Sequence, residues 1–205
     1  MDGLAFNALA ALKGGVPTDT KLKLLTELKA EIKHRQCPES AVAPLFDVVR
    51  ASISTPYLAD AGFSILSHLT KRLIGQDQIL VLQIQGVKTY PCLLERLADS
   101  RDRIRSRAAQ ALTDFHAIAA PDVEQFVRDK VLICRSPKAK EAGMQWVASV
   151  GDSPSFVLRP ANWSQTRKER SIAFRVFVPN IVDCLEDADG NVRKTAQETI
   201  IELFQ

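Results

Sequence analysis

The chain has 205 residues, of which 46% are hydrophobic and 25% charged, a balance typical of a globular protein that can bury a continuous core. Its net charge of +3 arises from 27 basic and 24 acidic residues and is too small to indicate a nucleic-acid partner. No apolar run approaches the roughly 18 residues of a membrane span, so we expect no membrane partner either.

The four cysteines are 55, 42 and 50 residues apart and show neither CxxC spacing nor a nearby pair of histidines. This pattern predicts reduced thiols, a cytoplasmic or nuclear location, and no metal site. The three histidines lie on different predicted helices, and no catalytic constellation or phosphate-binding loop occurs, so we expect neither an enzyme nor a cofactor. The start of the chain lacks a signal-peptide pattern. The end falls directly on a helix pattern, which suggests a fragment of a longer protein.

Apolar residues at three- and four-residue spacing predict paired helices along the chain. The first helices are expected over 2–13, 20–33, 38–53 and 58–73, separated by Gly14-Gly15, by a linker at 36–40 and by a loop at 54–57. A longer helical pattern starts at Gln76 and should kink near Gly86 or Pro91. The pattern returns over 104–119, and Pro121 is expected to start the fourth pair.

The last pair, 178–204, shows the unit most clearly, because an acidic turn joins two helices that each have one apolar face. Moving this stretch back by 88 residues places Asp187 on Asp99 and Arg193 on Arg105. Weaker copies lie 35 residues after and 47 residues before the stretch that begins at Pro91. The spacings predict an all-α solenoid of about five HEAT-like antiparallel helix pairs, in one domain.

The helical pattern fails in an irregular segment at 151–171, which contains Trp163 and a basic cluster. So long a stretch without periodicity is unusual in a compact domain. One interpretation is that the segment packs across the surface through Trp163. The other is that Trp163, Arg167, Lys168 and Arg170 contact a partner.

Two stretches resemble a known family. The segment LEDADGNVRKTAQETIIELF, which ends at Phe204, looks like the last repeat of the N-terminal TOG domain in the CLASP family of microtubule-stabilising proteins. SPKAKEAGMQWV, at 136–147, resembles a fourth-loop signature that TOG domains write roughly as NPKVKEEALNWL. The resemblance implies a right-handed array of HEAT pairs, a mitotic-spindle and kinetochore location, and tubulin binding through the short loops within the pairs.

These loops supply the candidate binding residues, because basic side chains along one edge of a HEAT stack would add into a stripe facing acidic tubulin. We expect this set of side chains to be exposed: Thr20, Lys21, Lys23, Tyr57, Arg101, Arg103, Lys138, Lys140 and Asn191. Arg105 and Arg193 are better explained as residues that pair within the stack. The alternative is that exposed basic loops serve solubility only.

The first loop resembles the D-W-K-x-R pattern of tubulin-binding TOG domains at Asp19, Lys21 and Lys23, with Thr20 in the place of the tryptophan. Two hypotheses follow, beside the outside alternative of an unrelated HEAT adaptor such as a transport or phosphatase scaffold, against which the two matching stretches argue. In the first, the domain binds tubulin or microtubules through the loops. In the second, it is a targeting module that docks a kinetochore or other protein partner, with weak or no tubulin binding of its own.

Overall fold

A computed structural model describes residues 1–152 and 174–203 of the chain. The hypotheses for the segment at 151–171, including those for Trp163, Arg167, Lys168 and Arg170, fall almost entirely outside these residues. Within the described ranges the protein is helical and has no strand, which confirms the predicted all-α fold. Its main helices are α1 (Asp2–Lys13), α2 (Thr18–His34), α3 (Glu39–Ser54), α4 (Ala59–Gly75), α5 (Ile79–Leu97), α6 (Asp102–Phe126), α7 (Pro137–Asp152), α8 (Val178–Asp183) and α9 (Gly190–Leu203).

The chain divides into two compact units, unit 1 (Met1–Leu93) and unit 2 (Leu94–Gln205). In unit 1, α1 packs on α2 and α3 on α4, while α1 also packs on α3 and α2 on α4. Each helix turns one apolar face inward, as its three- and four-residue spacing predicted. The fully buried side chains of this core include Leu28, Ile32, Phe46, Ile53, Leu69 and Leu73.

Hydrogen bonds show the direction of the helices in unit 1. The Arg72 guanidinium, near the end of α4, donates to the carbonyl of Ile32 at 3.1 Å and to that of Lys33, near the end of α2. Ser40 at the start of α3 donates to the carboxylate of Asp2 at the start of α1 (3.4 Å). Therefore α2 runs parallel to α4 and α1 to α3, the arrangement of stacked helix pairs.

The helices α3 and α4 approach closely at Gly62. A Cβ atom at this position would lie 2.9 Å from both the backbone nitrogen and Cγ1 of Ile53, and 3.0 Å from Cβ of Ser52. Contacts this short with backbone atoms leave no room for a side chain. Glycine at this position therefore sets the distance between the two helices of the pair.

In unit 2, α6 packs on α7, and α9 packs on both α7 and α8. The prediction that one helix ends at Ala119 and another starts at Pro121 is confirmed in a modified form. α6 extends to Phe126, but it is kinked at Ala119, just before Pro121, where the backbone angles are non-helical (φ −145°, ψ 51°). A π-helical turn, Val127–Val131, follows. By contrast, α5 continues as one helix through Gly86 and Pro91.

The 88-residue repeat is visible in the hydrogen bonds of two turns. Arg105 Nη1 donates to the carbonyls of Asp99 and Ser100, at 2.8 and 3.0 Å. Arg193 Nη1 donates to the corresponding carbonyls of Asp187 and Ala188, at 2.7 and 3.0 Å. In both turns an arginine from the following helix thus satisfies carbonyl groups that no helix partner could reach. The interpretation of Arg105 and Arg193 as internal partners is confirmed.

The carboxylate at the start of each turn also satisfies backbone groups of that turn, in this case N–H groups. Asp99 accepts a hydrogen bond from the backbone N–H of Arg101 at 3.0 Å, and Asp187 accepts one from that of Asp189 at 2.9 Å. The side chain of Asp99 is only 7% exposed and also accepts from Arg96 and from the Arg101 side chain. The side-chain hydrogen bond from Arg101 is the main reason that the pKa of Asp99 falls from 3.8 to about 2, although burial opposes it.

We predict that Gly62→Ala lowers the free energy of unfolding by about 1 to 2 kcal/mol. Overpacking costs about 1 to 3 kcal/mol, and the better helix propensity of alanine recovers at most about 1 kcal/mol. Urea unfolding followed by circular dichroism measures the change. Gly75→Ala, at the other end of the same helix, is the matched control, because apart from its chain neighbours and the backbone of its own helix no atom lies within 4 Å of its added Cβ. Equal stability of the two variants would contradict the close approach at Gly62.

We predict that Asp99→Asn lowers the free energy of unfolding at neutral pH by about 1.5 to 3 kcal/mol, the range for hydrogen bonds to charged groups. Because folding depresses the pKa of Asp99, its carboxylate stabilises the fold above about pH 4, and this contribution is lost as the pH falls towards 2. The variant should therefore lose less stability than the wild type between about pH 4 and pH 2.5. Glu202→Gln, an exposed site on α9, should leave the wild-type pH dependence unchanged. Identical pH profiles for Asp99→Asn and wild type would refute this role of the carboxylate.

Candidate functional site

The short loops of unit 1 lie on one edge of that unit. Because α1 is parallel to α3 and α2 to α4, the loop that joins α1 to α2 and the loop that joins α3 to α4 are at the same end of the stack. The linkers that follow α2 and α4 are at the opposite end, where Gln76 exchanges two hydrogen bonds with the backbone of Cys37, at 2.9 and 3.0 Å. We call the first end the loop edge of unit 1.

Four sequence-predicted residues lie on this loop edge, and they differ in their surroundings. Thr20 is exposed in the first turn of α2, as expected, and Lys23 is exposed one turn later. The Lys21 ammonium donates to the carbonyl of Leu12 near the end of α1, at 3.4 Å, and its side chain is only partly exposed. Lys21 therefore helps to join α1 to α2. Tyr57, in the loop between α3 and α4, is a large aromatic side chain that is 57% exposed.

Unit 2 also brings its loops to one edge, which is shown by a groove of about 510 Å³. The groove runs along α6 and α7 as far as Thr113 and Ser149. At one end its lining includes residues from the first turns of three helices: Asp102 and Arg105 from α6, Lys138 and Glu141 from α7, and Asn191 from α9. Residues that are far apart in sequence thus face one concave surface. We call this surface the loop edge of unit 2.

Two of the basic side chains predicted for this edge, Arg101 and Lys140, form ion pairs with aspartates of the turns. Arg101 makes a bidentate ion pair with Asp99, with two nitrogen to oxygen distances of 3.0 Å. Lys140 makes an ion pair of 2.6 Å with Asp187, and the two side chains are only 19% and 15% exposed. Arg103 and Lys138 are exposed. Lys138 has no hydrogen bond or ion pair with any other residue that the structure describes.

The expectation that Lys140 stands exposed on the edge is wrong. Its hydrogen bond with Asp187 raises the pKa of Lys140 and lowers the pKa of Asp187, with burial opposing both shifts. A partly buried ion pair of this kind is costly to break, because the remaining charge loses its partner. Lys140 therefore joins α7 to the turn before α9, a structural role that resembles that of the turn arginines.

The electrostatics of the unit 2 edge are mixed rather than uniformly basic. Arg105 forms an ion pair with Asp102, in addition to its bonds to the turn carbonyls. The pKa of Glu141 is raised, chiefly by burial and also by the nearby charge of Asp189. Arg105 and Lys138 oppose that increase. The edge therefore offers a small number of cationic positions among carboxylates, instead of the continuous basic stripe that the sequence predicted.

Several lining residues were not predicted from the sequence. Trp146, on α7, is 2% exposed and donates through its indole nitrogen to the hydroxyl of Thr113 on α6, at 3.1 Å. The ring of His116 meets Trp146 edge-on, with 5.5 Å between ring centroids, and His116 Nε2 lies 3.0 Å from a carboxylate oxygen of Glu124. Trp146 belongs to the segment SPKAKEAGMQWV, so the signal was present, but the sequence did not show that the residue would line a groove.

The acidic turn before α9 caps that helix. Asp189 Oδ1 accepts hydrogen bonds from the backbone N–H groups of Asn191 and Val192, at 2.8 and 3.4 Å. Asp189 is therefore the N-terminal cap of α9. In the part of the chain that the structure describes, no group of three His, Cys, Asp or Glu residues could hold a metal ion. None of the described helices is long and apolar enough to cross a membrane.

Comparisons with known proteins agree with this architecture. A family model described as "CLASP N terminal" matches residues 8–205. The chain is 45% identical over 208 residues to Protein STU1 of Coccidioides immitis and 40% identical over 214 residues to Protein stu1 of Aspergillus fumigatus. These matches cover all of this chain but only 15% and 16% of the two relatives, so the chain spans about 15% of their length.

Two solved structures share the fold. The MAST/Orbit N-terminal domain superposes with a TM-score of 0.78 at 18% identity, over 100% of this chain and 83% of that one. The CEP104 TOG domain superposes with a TM-score of 0.63 at 15% identity, over 99% of this chain and 82% of that one. The fold is therefore the HEAT-like helical solenoid of TOG domains, and the chain belongs to the CLASP N-terminal family.

Proposed function

We propose that this chain is a tubulin-binding TOG domain of a microtubule-associated spindle protein, and that it binds without catalysis through its two loop edges. The observation that carries the proposal is the convergence of the first turns of α6, α7 and α9 on one groove. Loops held by buried carboxylates form a rigid surface, and a rigid surface loses little conformational entropy when it binds a partner. Membership in the CLASP N-terminal family supports tubulin as that partner.

The charged contacts of this proposal come from few residues. Arg103 and Lys138 are exposed at the unit 2 edge, and Lys23 is exposed at the unit 1 edge. Arg101 and Lys140 contribute charge, but their ion pairs with Asp99 and Asp187 already satisfy them. Since exposed charge pairs contribute only about 0.2 to 1 kcal/mol each, charge alone gives weak binding that depends on salt concentration.

An apolar anchor is therefore needed, and Tyr57 fits that role at the unit 1 edge. Thr20 occupies the position of the tryptophan in the D-W-K-x-R pattern, and a threonine buries too little area to replace an indole ring. Tyr57 presents a largely exposed ring on the same edge. Tyrosine and tryptophan are enriched among interface hot spots, and a residue that acts as a hot spot contributes about 2 kcal/mol or more.

A targeting role remains the second hypothesis, and the structure gives it one supporting observation. The ion pairs of Arg101 and Lys140 leave fewer cations for acidic tubulin than the sequence suggested. Under the targeting hypothesis, the same loop edges would dock a kinetochore or other protein partner. The two experiments below separate the hypotheses, because each measures tubulin binding directly.

We predict that Arg103→Glu combined with Lys138→Glu weakens microtubule co-sedimentation about tenfold at low salt. Each reversal replaces an attraction of up to about 1 kcal/mol by a repulsion. The melting temperature should change little, because both side chains are exposed. The control pair, Lys88→Glu with Lys130→Glu, makes the same change in net charge at exposed positions on α5 and the π-helical turn. Equal losses in both pairs, or no wild-type binding at low salt, would favour the targeting hypothesis.

We predict that Tyr57→Ala weakens tubulin binding about 30-fold, the effect of losing an anchor of about 2 kcal/mol. Thr20→Trp should strengthen binding, because it adds an aromatic side chain to the same edge. Gel filtration with tubulin heterodimer, or fluorescence anisotropy, measures both changes. Phe6→Ala removes another exposed aromatic ring, from α1, and should have little effect. A Tyr57→Ala variant with wild-type affinity would rule out this anchor.

A further inference from the structure

The end of unit 1 opposite to its loop edge carries a second surface. A groove of about 270 Å³ lies between the last turns of α2 and α4. Lys33 and Gln36 border it on one side, and His68 and Lys71 on the other. Lys33 is 13 residues after Thr20 in the same helix, so the groove is about 20 Å from the loop edge at 1.5 Å per residue. We call it the lysine groove.

The lysine groove collects cations that have no counter-charge. The side chains of Lys29, Lys33 and Lys71 make no hydrogen bond or ion pair with any described residue, and all three act on His68, whose pKa they lower after the larger effect of burial. A carboxylate on the last turns of α2, Glu31, is paired instead with Arg35 at 3.0 Å. Like charges that converge without a carboxylate repel one another, and an anion would relieve this repulsion.

The walls of the groove are fixed before any ligand arrives. Arg72 holds the end of α4 against the end of α2 through the carbonyls of Ile32 and Lys33. Gln76 holds the linker after α2, because its side-chain oxygen accepts from the backbone N–H of Cys37 and its side-chain nitrogen donates to the carbonyl of Cys37. These contacts also show that Arg72 serves the helix end, whereas Lys33 and Lys71 have exposed side chains and no structural partner. Preorganised walls reduce the entropy that binding costs.

We propose that the lysine groove binds an acidic peptide segment, whose carboxylates lie between Lys33 on α2 and Lys71 on α4. The chemistry of the lining favours a peptide over a nucleic acid. Gln36 contributes an amide group that suits a peptide backbone. Among the described residues that line the groove, there is no Phe, Tyr or Trp on which a base could stack. The proposal concerns a surface separate from the loop edges and does not depend on tubulin binding.

The test uses the whole 205-residue chain and a fluorescein-labelled peptide of ten glutamates, with binding followed by fluorescence anisotropy. We expect binding at about 50 mM salt that weakens at about 200 mM salt, because screening increases. A peptide with glutamine at every position should not bind. The variant Lys33→Glu with Lys71→Glu should bind the glutamate peptide at least about tenfold more weakly, since each reversal removes an attraction and adds a repulsion. Lys88→Glu with Lys130→Glu, the control pair with the same net charge, should remain within about twofold.

Two further measurements keep the outcome unambiguous. If the charge-reversed variant fails to fold, Lys33→Gln with Lys71→Gln removes the same charges without introducing repulsion and should still weaken binding. In the wild type, bound carboxylates should raise the pKa of His68, which NMR detects as a shift of its ring-proton titration. Equal weakening in the groove and control pairs, no binding at about 50 mM salt, or an unchanged His68 titration at saturation would each overturn the proposal. Tighter binding of a ten-nucleotide single-stranded DNA that the groove variant abolishes would also overturn it, in favour of a nucleic-acid ligand.

Discussion

Buried or partly buried carboxylates in the turns hold the loops of unit 2 in place. Asp99 and Asp187 each accept a backbone N–H two residues ahead, and each also holds a basic side chain. A turn has backbone groups that no helix can satisfy, and leaving such groups buried and unpaired costs about 1 to 3 kcal/mol each. The carboxylates remove that cost for N–H groups, and Arg105 and Arg193 remove it for carbonyls. The positions of α6 and α9 depend on these bonds.

This constraint also determines which charges can serve a partner. The interactions that make the turns rigid use Arg101 and Lys140, two of the basic residues that the loop sequences offer. Rigidity and positive charge therefore compete for the same side chains. Lys138 remains as an exposed cationic position at the unit 2 edge, and Arg103 is also exposed there. For this reason the proposed binding depends on an aromatic anchor such as Tyr57 rather than on a basic stripe.

Unit 1 separates structural and binding roles in a similar way. At the end of α2 and α4, Arg72 and Gln76 satisfy backbone groups, while Lys33 and Lys71 face the lysine groove. Arginine suits the first role because its planar guanidinium can donate to two carbonyls at once. Lysine is a flexible point charge, so it can follow the carboxylates of a bound peptide. The parallel stacking of α2 on α4 creates this groove and the loop edge at opposite ends of the same pair of helices.

The sequence by itself determined the helical fold and the repeat. Apolar spacing predicted the bounds of α1 as observed and those of α2, α3 and α4 to within a few residues. It could do so because a helix with one buried face carries apolar residues at three- and four-residue spacing. The shift of 88 residues identified Arg105 and Arg193 as equivalent, and the structure gives them the same bonds. The backbone break before Pro121 also followed from a local signal, whereas the exposure of Thr20 followed from the resemblance of the first loop to the TOG pattern.

Only the tertiary structure decided which of the loop lysines, Lys138 or Lys140, is paired. The ion pair between Lys140 and Asp187 joins residues 47 positions apart, and in sequence Lys140 looks as free as Lys138, two residues earlier. The two side chains leave α7 in different directions, so that one meets a carboxylate and the other does not. The same reason applies to Lys33, Lys71 and His68, which α2 and α4 bring together. Periodicity predicts which face of a helix is buried, whereas the partner of a polar side chain depends on how separate helices pack.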